Sequence, residues 1–262
     1  MRGLLFALLL AVPCYAQQTQ LVSIDRIASP EFYRSVCQID HKSAGKQGSG
    51  VYIGNQWILT ARHCVEPGGT MEVVFGAVGG TYAVDQFCTS MDCDTAIVHI
   101  TDEPPSDVKA IPLAMANPQI GDPVYFAGFD RGQRFRVFDG QVSFVNGEDR
   151  GCVVARHSQG FAEQAVPGDS GGPVFDKYGR IAGNLHSQTD SGGTAYVTVS
   201  KVKDFFRRVE QRYPDYRLPQ YGGGGSSGSW QTPPSAGQSN QCPPQQPVQP
   251  SQPQQPQCPQ PA

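Results

Sequence analysis

Short apolar runs separated by turn residues fill the middle of the chain, from about residue 35 to residue 199. They are three to six residues long, the length of strands rather than of helices, and Gly, Asn and Asp punctuate them. A dozen such strands predict an all-β fold, either a sandwich or a pair of barrels. The predicted strands are Ser35–Ile39, Gly50–Ile53, Trp57–Thr60, Met71–Phe75, Thr81–Val84, Ala96–Ile100, Val124–Gly128, Gln141–Val145, Cys152–His157, Pro173–Phe175, Ile181–Leu185 and Ala195–Val199.

One segment near residue 200 carries the helical period instead. Val202, Phe205, Phe206 and Val209 fall at i, i+3, i+4 and i+7, which places them on one face of an amphipathic helix. Ser200 is the predicted N-cap of this helix, because its hydroxyl is able to accept from a free backbone N–H. The pattern predicts a helix that closes the domain before residues 213–214.

The first residues have the pattern of a secretory signal peptide. A basic start precedes the apolar run Leu4–Val12, and small residues follow, which predicts a signal peptide over residues 1–16 with cleavage after Ala16. The run is too short to span a bilayer, so a membrane anchor is the weaker alternative. A lipid anchor on Cys14 is disfavoured by the Val-Pro pair before it. We therefore expect a secreted protein, extracellular or periplasmic, with no membrane partner.

Composition changes sharply at Gln220. A Gly/Ser linker is followed by a segment made mostly of Pro, Gln and Ser, which cannot bury enough apolar surface to fold. The sequence thus predicts a folded domain over residues 17–219 and a disordered tail over residues 220–262. A spacer or tether is the simplest role for the tail, and partner binding is the alternative.

The net charge and the cysteine spacing argue against a nucleic-acid-binding protein and against a metal site. The net charge of −3 and the absence of a Lys/Arg cluster argue against nucleic acid as a partner. Cysteines without the CxxC spacing of metal sites favour disulfides in an exported chain, so no metal site is expected. The favoured pairs are Cys37 with Cys64 and Cys88 with Cys93, which leaves Cys152 over; Cys93 with Cys152 is the alternative.

The most informative stretch is the glycine-rich segment Pro167–Pro173, which holds a single serine, Ser170. Glycines leave its hydroxyl exposed and allow a substrate backbone to come close. The turn is also able to aim the N–H groups of Gly168 and Ser170 at a developing negative oxygen. A serine in this setting becomes a nucleophile only if a base and a carboxylate lie nearby.

His63 and Asp94 are the candidates for these two roles. His63 follows a buried strand and precedes Cys64, whereas the other four histidines lack that setting. Asp94 directly precedes an apolar strand, where a buried carboxylate is able to fix the tautomer of an imidazole. Asp92 is the alternative acid, but it stands two residues further from the strand.

The order His63, Asp94, Ser170 resembles that of the chymotrypsin/trypsin-like serine proteases. Three local matches carry the resemblance: Thr-Ala-Arg-His-Cys ending at Cys64, Asp-Thr-Ala-Ile beginning at Asp94, and Gly-Asp-Ser-Gly-Gly-Pro beginning at Gly168. Softer matches are the segments 48–51 and 121–128. The resemblance spans about residues 35–210 and is greater to the compact bacterial or V8-like branch than to the digestive enzymes.

This resemblance implies two six-stranded antiparallel β-barrels with the active site in the cleft between them. It implies a serine endopeptidase whose catalytic residues are His63, Asp94 and Ser170, with Gly168 and Ser170 forming the oxyanion hole. Protein or peptide substrates are expected, and no cofactor is needed. The digestive enzymes pair a new N-terminal amine with the aspartate before the serine; the matching motif is absent here, so Asp169 is expected to have another partner.

The resemblance leaves the residue preference before the cut open. The family's pocket floor aligns with Gln164, and the adjacent Glu163, if it points inward, favours Lys or Arg. His186 resembles the pocket histidine of glutamyl-specific members, offset by one residue, and favours Glu or Gln; the simpler interpretation is a surface or hydrogen-bonded histidine. Ser187 and Gln188 continue the strand expected to bind the substrate backbone.

Overall fold

The computed structural model describes residues 20–145, 152–156, 165–189 and 193–219, without the side chains of residues 144–145 and 152–156. The predicted signal peptide, the tail from residue 220, and the candidate pocket residues Glu163 and Gln164 lie outside these ranges. None of the described helices combines the length and apolar character that crossing a bilayer requires.

Twelve strands and four helices make up the described chain. The strands are β1 (Val36–His41), β2 (Lys46–Gly54), β3 (Trp57–Thr60), β4 (Met71–Val74), β5 (Thr81–Thr89), β6 (Ala96–Ile100), β7 (Pro123–Asp130), β8 (Arg134–Val145), β9 (Cys152–Arg156), β10 (Pro173–Phe175), β11 (Ile181–Gln188) and β12 (Gly193–Thr198). The helices are α1 (Ile24–Ile27), α2 (Pro30–Tyr33), α3 (Arg62–Val65) and α4 (Val199–Arg212).

The strands close into two six-stranded antiparallel barrels, which confirms the predicted fold. The first barrel has the order β1-β2-β3-β6-β5-β4, and the second has the order β10-β11-β12-β9-β8-β7. Every predicted strand is present, and β3, β6 and β10 have the predicted bounds. The three four-residue helices were not predicted, because one turn is too short to show a helical period.

Several strands are buried on both faces, which is why they stand out in the sequence as continuous apolar runs. In β6, Ala96, Val98 and Ile100 point into the core of the first barrel. The alternate residue Ile97 points the other way, into a second core shared by the two barrels and α4. Successive side chains of a strand point to opposite faces, so a strand between two cores is continuously apolar.

Helix α4 packs against this shared core as the periodicity predicts. Val202, Phe205, Phe206 and Val209 are all buried in it. The predicted N-cap is wrong, however, because the helix begins at Val199 directly after β12 and no side chain caps it. Ser200 lies in the first turn, where its N–H donates to Asn117 Oδ1 at 3.0 Å. A side chain from a distant segment thus accepts from the Ser200 N–H, one of the free donors of the first turn.

Both predicted disulfides are wrong. Cys37, Cys64 and Cys93 are free thiols, which also excludes the alternative bridge from Cys93 to Cys152. Cys37 points into the core of the first barrel. Cys64 faces the other barrel, where its Sγ lies 3.4 Å from the carbonyl oxygen of Ser170. The two thiols therefore have different neighbours although the spacing suggested a pair.

Candidate active site

One residue separates the end of β3 from the start of helix α3. This short helix carries His63, whose side chain lines the cleft. The backbone N–H of His63 donates to Asp94 Oδ1 at 3.0 Å. The ring Nδ1 lies 2.6 Å from Asp94 Oδ2. One carboxylate therefore fixes both the main chain and the ring plane of the histidine, and leaves its Nε2 free to face the cleft.

Asp94 is nearly inaccessible, with 8% of its side chain exposed, and it is held through its main chain by the other barrel. Its carbonyl accepts from Asn184 Nδ2 at 2.9 Å, and Asn184 Oδ1 accepts from the hydroxyl of Thr95 at 2.8 Å. Because Asn184 lies on β11, these two bonds join the strand entrance of β6 to the second barrel. Asp92, the alternative acid, is an exposed residue that pairs with Arg208.

The hydrogen bonds of Asp94 and His63 decide the direction in which the pKa of each group shifts. Burial alone raises the pKa of Asp94, but hydrogen bonds from His186 and His63 outweigh it and hold the pKa of Asp94 well below its usual range. The carboxylate is therefore ionised throughout the neutral range. The pKa of His63 is raised, first by its hydrogen bond to Asp94 and then by its contact with Cys64.

His186 occupies a place that the sequence did not indicate. Its Nδ1 lies 2.5 Å from Asp94 Oδ2, the same oxygen that His63 contacts. The two imidazole rings stand 6.3 Å apart between centroids and 67° from parallel. A carboxylate that carries two imidazoles is the unexpected feature of this site; the only signal in the sequence was the one-residue offset of His186 from the family's pocket histidine.

Ser170 stands in a tight turn that requires its glycines. Gly168 has φ of +103°, and a Cβ there would lie 2.4 Å from Arg131 N and from Phe129 O. Within the turn, Asp169 N–H donates to the Val166 carbonyl at 3.0 Å. The N–H groups of Gly168 and Ser170 have no hydrogen-bond partner among the described residues, so both are available to a substrate oxygen.

Ser49 on β2 ties this turn to the first barrel. Its N–H donates to the Ser170 carbonyl at 2.7 Å, and its hydroxyl donates to the Gly168 carbonyl, also at 2.7 Å. The same hydroxyl accepts from the N–H of Phe129 at 2.9 Å. Ser49 is fully buried. The sequence had marked it only as part of a weak family likeness, because nothing in Gly-Ser-Gly reveals a contact more than a hundred residues away.

Asp169 finds its partner in Arg136 on β8. Its side chain is fully buried; Oδ2 accepts from Val166 N–H at 2.9 Å and lies 3.5 Å from Arg136 Nη1. Oδ1 has no hydrogen-bond partner in the described structure. Burial raises the pKa of Asp169 to about 6, against the opposing effects of Val166 and Arg136. An arginine from a strand thus stands where the digestive enzymes use a chain terminus.

His63, Asp94 and Ser170 line one cleft of about 570 Å³ between the barrels. His63 and Asp94 come from the first barrel, and Ser170 comes from the second. His186, Ser187 and Gln188 follow along β11 and line the same cleft. Within the described chain, His63, Asp94 and His186 are the one group whose ligand atoms lie close enough together, within 4.8 Å, to hold a metal ion.

The raised pKa of Asp169 predicts how stability changes with pH. Its folded pKa of about 6 exceeds the ordinary value of 3.8, so the folded state binds more protons than the unfolded state between these values. Asp169 therefore stabilises the fold fully below about pH 4, and this contribution of about 2–3 kcal/mol is lost as pH rises through 6.

Asp169→Asn removes this titration, and urea unfolding of both proteins at pH 4 to 8 measures it. The variant should gain free energy of unfolding relative to wild type as pH rises to about 6, and the difference should then stay constant. Asp25→Asn, the same chemical change on an exposed side chain of α1, is the control for loss of a carboxylate. A wild-type-minus-Asn difference that does not change with pH contradicts the prediction.

The chain is similar to a known protein family in sequence and to known structures in fold. A family model described as a trypsin-like peptidase domain matches residues 48–183, which include His63, Asp94 and Ser170. No curated protein matches the chain. Among solved structures, the Rv3671c protease of M. tuberculosis in its inactive form is similar over 70% of this chain and 91% of that chain, at 19% identity and a TM-score of 0.56.

A serine endoprotease from Yersinia pestis is similar over 72% of this chain and 67% of that chain, at 17% identity and a TM-score of 0.55. At these identities the two structures support the fold alone. The family model, in contrast, covers more than half of the 262 residues. The chain therefore belongs to the trypsin-like peptidase family, and it is a hydrolase of the serine protease class.

Proposed function

We propose that this protease is an exported endopeptidase that hydrolyses peptide bonds through Ser170, His63 and Asp94 and an acyl-enzyme intermediate. The observation that carries the proposal is the buried carboxylate of Asp94, which lies 2.6 Å from His63 Nδ1 in the cleft that Ser170 also lines. This contact places the proton of the neutral imidazole on Nδ1. Nε2 is then the acceptor that a nucleophilic hydroxyl requires.

The steps follow from these positions. Nε2 of His63 takes the proton of Ser170 as its Oγ attacks the peptide carbonyl, and the ionised Asp94 stabilises the imidazolium that forms. The unengaged N–H groups of Gly168 and Ser170 hold the developing oxyanion. His63 then protonates the leaving amine, and a water molecule releases the acyl group by the reverse sequence.

The substrate lies along β11 in this proposal. Ser187 and Gln188 line the cleft directly after His186, so an extended peptide is able to pair with this edge. His186 uses its Nδ1 on Asp94, which favours the interpretation of a hydrogen-bonded histidine over that of a pocket residue for Glu or Gln. Gln164 remains the proposed pocket floor, with Glu163 beside it.

Export is proposed from the N-terminal pattern of residues 1–16. A basic start, a short apolar run and small residues before position 17 are what signal peptidases recognise. The folded domain then begins with the segment that carries α1 and α2, and the Pro/Gln-rich residues after 220 form a spacer or tether. Proteins or peptides outside the cytoplasm are the proposed substrates.

Ser170→Ala tests the proposal directly. Removal of the hydroxyl should abolish cleavage of casein and of a peptide library, because no other nucleophile is proposed, while the thermal unfolding temperature stays close to that of wild type. The library profile of the wild-type enzyme identifies the residue before the cut. Cleavage by the variant at the wild-type rate would remove Ser170 from its role.

Asp94→Asn should lower kcat by about four orders of magnitude, because an amide no longer enforces the tautomer of His63 that accepts the serine proton. Asp92→Asn is the matched control, since it makes the same chemical change two residues away on an exposed side chain. It should change kcat by less than about twofold. Equal losses in the two variants, or a loss only in Asp92→Asn, would reassign the acid.

Ser49→Ala tests whether the tie between the barrels positions the oxyanion donors. We expect kcat to fall by about tenfold to a hundredfold with KM little changed, because the Gly168 carbonyl loses the hydroxyl that holds it. The free energy of unfolding should fall by about 1–3 kcal/mol, since the Phe129 N–H is left buried without a partner.

Ser35→Ala is the control for this loss of a buried hydroxyl. Ser35 is equally buried, donates to the Lys109 carbonyl at 2.6 Å and accepts from its N–H at 3.1 Å, but it lies away from the cleft. It should cost similar stability and leave kcat unchanged. A parallel loss of kcat in both variants would assign Ser49 a merely structural role.

A further inference from the structure

We propose that His63, Asp94 and His186 form a binding site for a zinc-class transition-metal ion, and that this ion switches off the protease. The binding site stands on the geometry of the three side chains. The regulatory half of the proposal rests on the function proposed above, in which His63 acts through its Nε2.

The three ligand atoms already lie close together, within 4.8 Å of one another. Nδ1 of His63 and Nδ1 of His186 lie 2.6 and 2.5 Å from the same oxygen, Oδ2 of Asp94. A zinc ion binds imidazole nitrogen and carboxylate oxygen at about 2.0–2.2 Å, which sets neighbouring ligand atoms about 3.3 Å apart. An ion bound by all three atoms therefore requires each nitrogen to lie less than about 1 Å farther from Oδ2 than it does without the ion.

The surroundings permit this movement. The side chains of His63 and His186 are 48% and 31% exposed, so both rings have room to turn toward the cleft. Asp94 stays in place through the His63 N–H on its Oδ1. All three residues line the open cleft, where water is able to complete the coordination of a tetrahedral ion. Arg62, a cation that lines the same cleft, is paired with Glu66 at 2.7 Å.

The donor set selects the class of ion. Two imidazole nitrogens and one carboxylate suit Zn²⁺, Cu²⁺ and Ni²⁺, whereas Mg²⁺ and Ca²⁺ require a shell made of oxygen atoms. The site supplies one negative charge, and no second carboxylate joins the group among the described residues. Zn²⁺ should therefore bind and Mg²⁺ should not.

Binding at Nδ1 removes the function of His63 by tautomerism. A neutral imidazole whose Nδ1 is bound to a metal carries its single proton on Nε2. That nitrogen is then a donor, and it is no longer able to accept the proton of Ser170. The ion also replaces the hydrogen bond between Asp94 and the ring, because a metal-bound Nδ1 has no proton to donate. Both effects act on the chemical step without closing the cleft.

The chain provides a matched control in its second histidine–aspartate pair. His99 Nδ1 lies 2.8 Å from Asp85 Oδ1, and the His99 ring packs 4.9 Å from Trp57. This pair has the same chemistry as His63 and Asp94, but no second imidazole joins it in the described structure. His99→Gln thus removes one imidazole from an aspartate without touching the proposed site.

Metal binding is measured first, by calorimetric titration of ZnCl₂ into the full-length Ser170→Ala protein. We expect Zn²⁺ affinity to fall at least about tenfold when His186→Gln is added, and to be retained with His99→Gln. His63→Gln in the same background should weaken binding similarly, which guards against a folding defect of one variant. Unchanged affinity in both His186→Gln and His63→Gln overturns the site.

Inhibition is measured second, with ZnCl₂ and MgCl₂ on peptide hydrolysis by otherwise wild-type protein. Zn²⁺ should inhibit, EDTA should restore the rate, and His186→Gln should raise the half-inhibiting Zn²⁺ concentration at least about tenfold relative to His99→Gln. Equal sensitivity of these two variants overturns the regulatory role. Failure of all hydrolysis contradicts the proposed function instead, and the calorimetric result still decides whether the site exists.

Discussion

The carboxylate of Asp94 is the constraint on which the site depends. Its two oxygens hold the main chain of His63, the ring of His63 and the ring of His186. Such a group is stable only because burial and hydrogen bonding act together. Burial strengthens the bonds by excluding water, and the bonds offset the cost of keeping a charge away from water. The first barrel positions His63 through this single buried anion.

The turn that carries Ser170 belongs to the second barrel, but residues of both barrels hold it in place. The carbonyls of Gly168 and Ser170 are held by Ser49 from the first barrel. Asp169 is held from the opposite side by Arg136 on β8. The turn is therefore held by side chains from both barrels. Glycine adopts the positive φ of Gly168 without steric cost, so this turn needs a glycine at that position.

The parts that the sequence predicted well are those that local chemistry determines. Strands β3, β6 and β10 were delimited correctly because both faces are buried, which makes their apolar runs continuous. The contact of His63 with Asp94 was predictable from their positions beside strands and from family motifs. The partners of Cys64, Asp169 and Ser49 were not, because each contact crosses between distant segments and the side-chain direction that decides it leaves no local pattern. The Cys37–Cys64 pairing failed for this reason.

His186 is a second imidazole that contacts the buried carboxylate of Asp94. A buried carboxylate that accepts from one imidazole orients a base, and its remaining lone pair still needs a partner. Here that partner is a second imidazole, so the carboxylate accepts a hydrogen bond from each ring and holds His63 more firmly. The two nitrogens and one oxygen then also have the composition of a zinc site. The arrangement that makes the base precise is therefore the one that makes it sensitive to metal ions, since either imidazole is able to exchange its hydrogen bond for a coordinate bond.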